Sequence, residues 1–166
     1  MADIDIQEQS AWGIATLMAR KGVAARQVGA LLEMEIPERS GVAVSGPVSV
    51  VCTAPGTWLA LSSAGSEGWT DGLARRMEGV ASVSEQSAGY SLLAVSGADA
   101  SPLLQAGTFL DLRDDAFPPG RAAATVISYI GVTIWRPSPE QRFFVALYRS
   151  YRASFDTWIK HAAATL

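Results

Sequence analysis

Apolar residues run along this chain in short blocks cut by Gly, Pro and Ser, and only a few blocks repeat at helical spacing. Ala11 to Arg20 holds apolar positions suited to a first strand, although a short helix fits the same residues. Val23 to Glu33 places Val28, Leu31 and Leu32 on one helical face, and Pro37 ends that helix. Gly41 to Cys52 is rich in β-branched residues and broken by Ser-Gly-Pro, the pattern of strand, turn and strand. After Pro55-Gly56, Trp58 to Ser62 reads as a strand, Trp69 to Met77 as a helix closed by Gly79, and Val80 to Glu85 as a strand. The order β-α-β-β-α-β, with its middle strand divided, predicts a ferredoxin-like lobe.

The order then starts again. Tyr90 to Val95 reads as a strand ending at Ser96-Gly97, and Asp99 or Ser101 is placed to cap a helix through Leu103 and Leu104. Pro102 falls in the first turn of that helix and Gly107 ends it. Beyond the loop LDLRDDAFPPG, Ala124 to Tyr129 and Val132 to Trp135 predict strands joined near Gly131. The turn Pro137-Ser138-Pro139 leads to a strand, Arg142 to Leu147. A final helix, Tyr151 to Ala163, carries Phe155, Trp158 and Ile159 on one face, with Asp156 and Lys160 at i,i+4. Trp58-Leu59-Ala60-Leu61 before one helix matches Phe143-Phe144-Val145-Ala146-Leu147 before another. The reading is an α+β protein made by duplication of one βαββαβ-type lobe, with residues 1–88 forming the first copy and 89–166 the second.

Composition sharpens this picture. Charged residues are 17% of the 166, below the ~25% usual in soluble domains, and mean hydropathy is +0.18. Two readings fit: a surface partly covered by a partner, or a tightly packed Ala- and Gly-rich chain. Net charge is −3 with the cations scattered, so nucleic acid has no basic face to meet. Cys52 is alone, which excludes an internal disulfide. Asp3, Asp5 and Glu8 stand where a signal peptide needs positive charge. Ser40 to Ser66 is uncharged, but Gly46, Pro47, Pro55 and Gly56 break it into β-like runs and exclude a membrane helix. A cytoplasmic protein is expected.

Sites of chemistry are not expected in this chain. One Cys and one His cannot supply a zinc site, and His161 reads as a solvated or packed histidine. Asp111, Asp114 and Asp115 match no calcium loop and read as turn residues. There is no G-x-S-x-G elbow, no G-x-G-x-x-G turn and no P-loop, so no catalytic, cofactor-binding or metal residue is assigned. What remains is recognition surface. Phe117 and Pro118 lie in a loop stiffened by two prolines; Phe117 either fills the chain's own core or docks into a partner. Arg149 and Tyr151 pose the same choice between anchoring the last helix and reaching across an interface.

An ordered set of segments carries a family resemblance. Ser96-Gly97, Leu103-Leu104-Gln105-Ala106-Gly107, Leu110-Asp111-Leu112, Ala116-Phe117-Pro118-Pro119-Gly120, Trp135-Arg136, Arg149-Ser150-Tyr151 and Trp158 together resemble the gamma subunit of heterotetrameric sarcosine oxidase. The resemblance implies a fold similar to the first domains of the glycine-cleavage aminomethyltransferase, or T-protein. It implies alpha, beta and delta partner subunits, with NAD, FAD and covalent FMN in alpha and beta and zinc in delta. Such a complex oxidatively demethylates N-methyl amines and passes the one-carbon unit to tetrahydrofolate in its alpha chain. Sarcosine is the default substrate, with dimethylglycine, N-methylglutamate and N-methylproline open. The T-protein's paired-aspartate pattern is not recognisable here, which argues against the alternative of a stand-alone folate-binding or one-carbon-transfer protein.

Overall fold

The structure is a computed structural model describing residues 2–140 and 142–166. The chain divides into two units, one of Ala11–Ser87 and one that joins residues up to Ser10 to Ala88–Leu166. Strand β1 (Asp5–Glu8) accordingly belongs to the second unit, where the sequence reading had placed residues 1–88 together and predicted no strand. Asp3-Ile4-Asp5-Ile6-Gln7 does alternate polar and apolar residues, but the run is short and its four strand residues are all exposed.

The first unit runs β2 (Gly13–Ala19), α1 (Ala25–Leu32), β3 (Val42–Ser45), β4 (Val48–Ala54), β5 (Thr57–Ser62), α2 (Trp69–Arg76) and β6 (Ala81–Glu85). Its antiparallel sheet has the order β3-β4-β5-β2-β6: the ferredoxin-like order β4-β5-β2-β6, with β3 not a piece of a divided strand but an added edge strand hairpinned to β4. Leu17, Val28, Val50, Trp58, Leu73 and Met77 form its core. The Trp58 indole N–H donates to the Pro37 carbonyl at 2.7 Å, so this buried aromatic leaves no polar atom unpaired.

The second unit runs β7 (Tyr90–Ser96), α3 (Ala100–Gln105), β8 (Ala122–Ile127), β9 (Ile130–Trp135), β10 (Arg142–Tyr148), a 3₁₀ turn (Arg149–Tyr151) and α4 (Arg152–Ala164). Its sheet order is β1-β7-β10-β9-β8. Laid beside the first unit, β7, α3, β8, β9, β10 and α4 take the places of β2, α1, β3, β4, β5 and α2. The place of β6 is filled by β1, from the opposite end of the chain. The matching Trp58–Leu61 and Phe143–Leu147 runs fall on equivalent strands, β5 and β10. Leu93, Val95, Leu103, Phe117, Phe143 and Phe155 fill the core.

Several local expectations change. Gly107 does end α3, but its φ is not positive; a Cβ there would collide with the Trp158 indole and the Ile127 side chain. Asp99 makes no cap bond to α3. Its carboxylate instead accepts the Asp3 N–H at 2.8 Å, while the Asp3 carboxylate accepts the Ala98 N–H at 3.1 Å. Gly97, at φ +106°, lies so close to the Asp3 backbone that no side chain would fit. These contacts latch β1 onto the end of β7. Asp156 pairs with Arg152 rather than Lys160, and Arg152 also reaches Glu8 of β1 at 2.8 Å. No described helix is long and apolar enough to cross a membrane.

The β1–β7 ladder gives a residue-level prediction. Gln9 N–H bonds to the Leu92 carbonyl, so alternation assigns the Ala94 and Ser96 amides to β1 and those of Leu93 and Val95 to β10. Deleting residues up to Gln9 will make Ala94 and Ser96 exchange rapidly with deuterium while Leu93 and Val95 stay protected. Equal loss at all four would contradict this register.

Candidate functional site

The loop after α3 is built from its own side chains inward. The Leu112 backbone is held at both ends by α3: its N–H donates to Gln105 Oε1 at 3.0 Å, and its carbonyl accepts the Ser101 hydroxyl at 2.8 Å. Asp111 accepts the Arg113 backbone N–H at 3.1 Å and its guanidinium at 2.6 Å, and this partner holds the Asp111 carboxyl below the usual carboxylate range. Arg113 carbonyl then accepts the amides of Ala116 and Phe117, closing a turn. Gly120, at φ +88°, ends the loop.

Arg136, at the end of β9, holds this loop from beneath. Its side chain is only 3% exposed, yet it pairs with Asp114 at 2.7 Å. The same guanidinium donates to the carbonyls of Phe117 at 3.3 Å and Pro139 at 3.1 Å, and lies 5.9 Å from the Phe143 ring centroid. Its backbone accepts the Gly120 N–H at 2.7 Å and donates to Arg121 at 3.0 Å. One buried cation therefore satisfies acceptors from both flanking turns.

The four residues singled out for partner contact separate clearly. Phe117 is 2% exposed and packs on Phe143 with ring centroids 6.2 Å apart. It is a core residue, and the docking alternative for its side chain falls away. Pro118 is exposed beside it. Arg149 is spent on anchoring: its N–H, Nε and Nη2 donate to the carbonyls of Gly89, Ala88 and Tyr90 at 2.8, 2.9 and 2.7 Å. Tyr151 is half exposed. Nearby, Tyr90 stacks at a tilt on Tyr148 at 5.0 Å. Burial first, and then the hydrogen bond to Tyr148, push the Tyr90 hydroxyl up to about 12.

Two other aromatics are the most prominent apolar features of this unit. Phe109 follows α3 and Tyr129 sits at the tip of the β8–β9 hairpin, 106% and 101% exposed. The turn is Ser128–Tyr129, with φ +49° and +65°, rather than the region of Gly131. Both values suit a two-residue type I′ turn, a geometry that Gly or Asn fills with less strain than Tyr. The Ser128 N–H donates to the Gly107 carbonyl at 2.8 Å, tying the hairpin tip to the end of α3. Between them lies a groove of about 300 Å³ lined by Gly107, Thr108, Phe109, Val126, Tyr129 and Trp158. Sequence reading missed both rings. Ser-Tyr is not a turn dipeptide, so Tyr129 was absorbed into a predicted strand, and Phe109 stood alone between Thr108 and Leu110.

Among the described residues no group of three His, Cys, Asp or Glu side chains is placed to hold a metal ion. Two of the loop aspartates are engaged by Arg113 and Arg136. His161 is exposed, with Nδ1 2.8 Å from the Thr157 carbonyl. Cys52 is buried and its thiol is pushed up by that burial.

The sarcosine oxidase, gamma subunit family matches residues 18–165. A chain of the heterotetrameric sarcosine oxidase from Corynebacterium sp. U-96, solved in complex with pyrrole 2-carboxylate, superposes with a TM-score of 0.87. It is 22% identical, and the match covers 98% of this chain and 84% of that one. The glycine cleavage system aminomethyltransferase T from Bartonella henselae superposes with a TM-score of 0.65 at 16% identity, over 95% of this chain and 45% of that one. This chain thus spans less than half of the aminomethyltransferase, and the two structures together show the expected T-protein-like α+β fold. No curated protein matches the sequence significantly.

Burial divides the aromatics by the effect of their removal. Phe117→Ala will cost ~3–5 kcal/mol in urea unfolding, because it empties a core position. Tyr129→Gly will instead raise stability by about 1 kcal/mol, since it relieves a left-handed tyrosine. A stable Phe117→Ala, or a Tyr129→Gly that loses stability, would contradict the arrangement.

Proposed function

The chain belongs to the sarcosine oxidase, gamma subunit family, and from that membership we propose that it is a non-catalytic subunit of a heterotetrameric complex that oxidatively demethylates an N-methyl amine. The observation that carries the reading is the family match across residues 18–165, most of the chain. The fold shared with a chain of the Corynebacterium heterotetramer supports it. In this reading alpha, beta and delta subunits bring NAD, FAD, FMN and zinc, and the alpha chain hands the one-carbon unit to tetrahydrofolate. This chain contributes a rigid scaffold with stiffened recognition loops. Pro118 and Tyr151, exposed on such loops, are assigned to partner contact. Arg149 acts from behind them by fixing the turn that carries Tyr151, and Phe117 by seating the loop that carries Pro118.

The fold shared with the aminomethyltransferase favours one further reading, a stand-alone folate-binding or one-carbon-transfer protein. Against it stands the missing paired-aspartate pattern. Co-expression with a flavin-bearing large subunit separates the two. The first reading expects co-purification, amine oxidation only by the assembled complex, and no flavin absorbance from the chain alone. Titration of the isolated chain with tetrahydrofolate, followed by Trp fluorescence, should then give no saturable change. An isolated chain that binds folate, and does not associate with a flavoprotein, would overturn it.

A further inference from the structure

Edge strands expose unpaired backbone groups, and natural sheets blunt them with charge, shortness, proline or bulges. In the second unit β1 is protected: it is four residues long and carries Asp5 and Glu8. The opposite edge, β8, has none of these devices. It is six residues long, and the stretch Ala122 to Trp135 contains no charged residue and no proline. Ala124 and Val126 are exposed along it.

The register shows which amides are open. Arg136 N–H bonds to the Arg121 carbonyl at one end of the hairpin, and Ile127 faces Ile130 across the two-residue turn at the other. Alternation between these fixed points commits the amides of Ala123, Thr125 and Ile127 to β9 and turns those of Ala122, Ala124 and Val126 outward. Ala122 is buried, but Ala124 and Val126 are exposed, and among the described residues no backbone hydrogen bond uses their outward groups. The groove between Phe109 and Tyr129 continues from Val126 at the end of this edge. Arg121, exposed and in no ion pair among the described residues, stands at its start.

We propose that the β8 edge receives an extended segment of another subunit of the complex as an added strand, one that is uncharged where it pairs with Ala124 and Val126 and carries its acidic residue at the Arg121 end. That segment hydrogen-bonds to Ala124 and Val126, sets an apolar side chain between Phe109 and Tyr129, and presents an acidic residue to Arg121. Backbone pairing supplies affinity, and the aromatic groove selects the side chain. The Ser128–Gly107 bond ties together the two backbone segments that carry these rings, which lowers the backbone entropy lost on docking. Charge complementarity argues for this occupant: an uncharged edge with one cation at its start has nothing for an acidic peptide along its length, and nothing that repels a neutral strand. The proposal rests on the subunit reading above and names the surface through which it operates.

The test is residue-resolved hydrogen exchange of the isolated chain and of the assembled complex. The Ala124 and Val126 amides should slow by at least about tenfold on assembly, while Thr125 and Ile127, already bonded to β9, should change little. Ala124→Pro removes an outward N–H without touching the ladder and should cut retention in the complex by about tenfold or more, whereas Ala124→Val, which keeps the donor, should not. A complex that forms with Ala124 and Val126 exchanging as in the free chain would overturn the proposal. So would concentration-dependent protection in the isolated chain, which would make the occupant a second copy. A wild-type chain that no flavoprotein subunit retains would overturn the subunit reading itself, and this edge proposal with it.

Discussion

A guanidinium taken almost wholly out of water must find acceptors in several directions, and at Arg136 those directions define the architecture around it. Asp114 meets it from the loop, Phe117 and Pro139 offer carbonyls from the turns on either side, and the Phe143 face lies beneath. Asp114 is itself mostly exposed, so the ion pair alone would contribute little. The two carbonyls matter more, because without the cation both would lose a charged donor. The Arg136 backbone also closes the open end of the β8–β9 hairpin through Arg121 and Gly120. The loop and the hairpin register are thus set from one point. A slip of one residue would exchange the faces of β8 and turn Ile127 out of the core.

The second constraint is topological. Each unit takes the order β-α-β-β-α-β, with one extra strand at its edge, and in the second unit the place of the last strand falls to a segment that precedes the first unit. β1 supplies it from the other end of the chain, latched by reciprocal bonds of Asp3 with the 98–99 backbone and side chain, and by Glu8 on Arg152. The second unit therefore forms one edge from a short acidic strand brought from a distance. Its other edge, β8, remains uncharged. That asymmetry leaves this unit with one edge guarded by charge and the other open.

Much of this was legible in the sequence because the local signals agreed with the tertiary solution. The β-branched run broken by Ser45-Gly46-Pro47 became β3 and β4, and Trp69 to Met77 became α2 with Gly79 at φ +79° behind it. The α+β class and the repeated lobe followed from that order. Where reading stopped, the physics was non-local. β1 is exposed throughout and is held by residues some ninety positions away. Ser128 and Tyr129 adopt left-handed turns that their residue types disfavour, so Gly131 drew the turn to itself. Phe117 could be placed in the core only once Phe143 stood beside it. Trp135-Arg136 entered the family resemblance as two letters, with no sign that the arginine was buried.

The claim that Arg136 organises the loop and the hairpin is tested most directly by urea unfolding of Arg136→Met beside wild type, with exchange at the Gly120 amide followed in parallel. Methionine fills similar volume without the donors. The account predicts a loss of about 2–4 kcal/mol, because the Phe117 and Pro139 carbonyls lose their charged partner, together with faster exchange at Gly120. An Arg136→Met chain as stable as wild type, with Gly120 still protected, would show that the apolar core alone sets this register and would contradict the account.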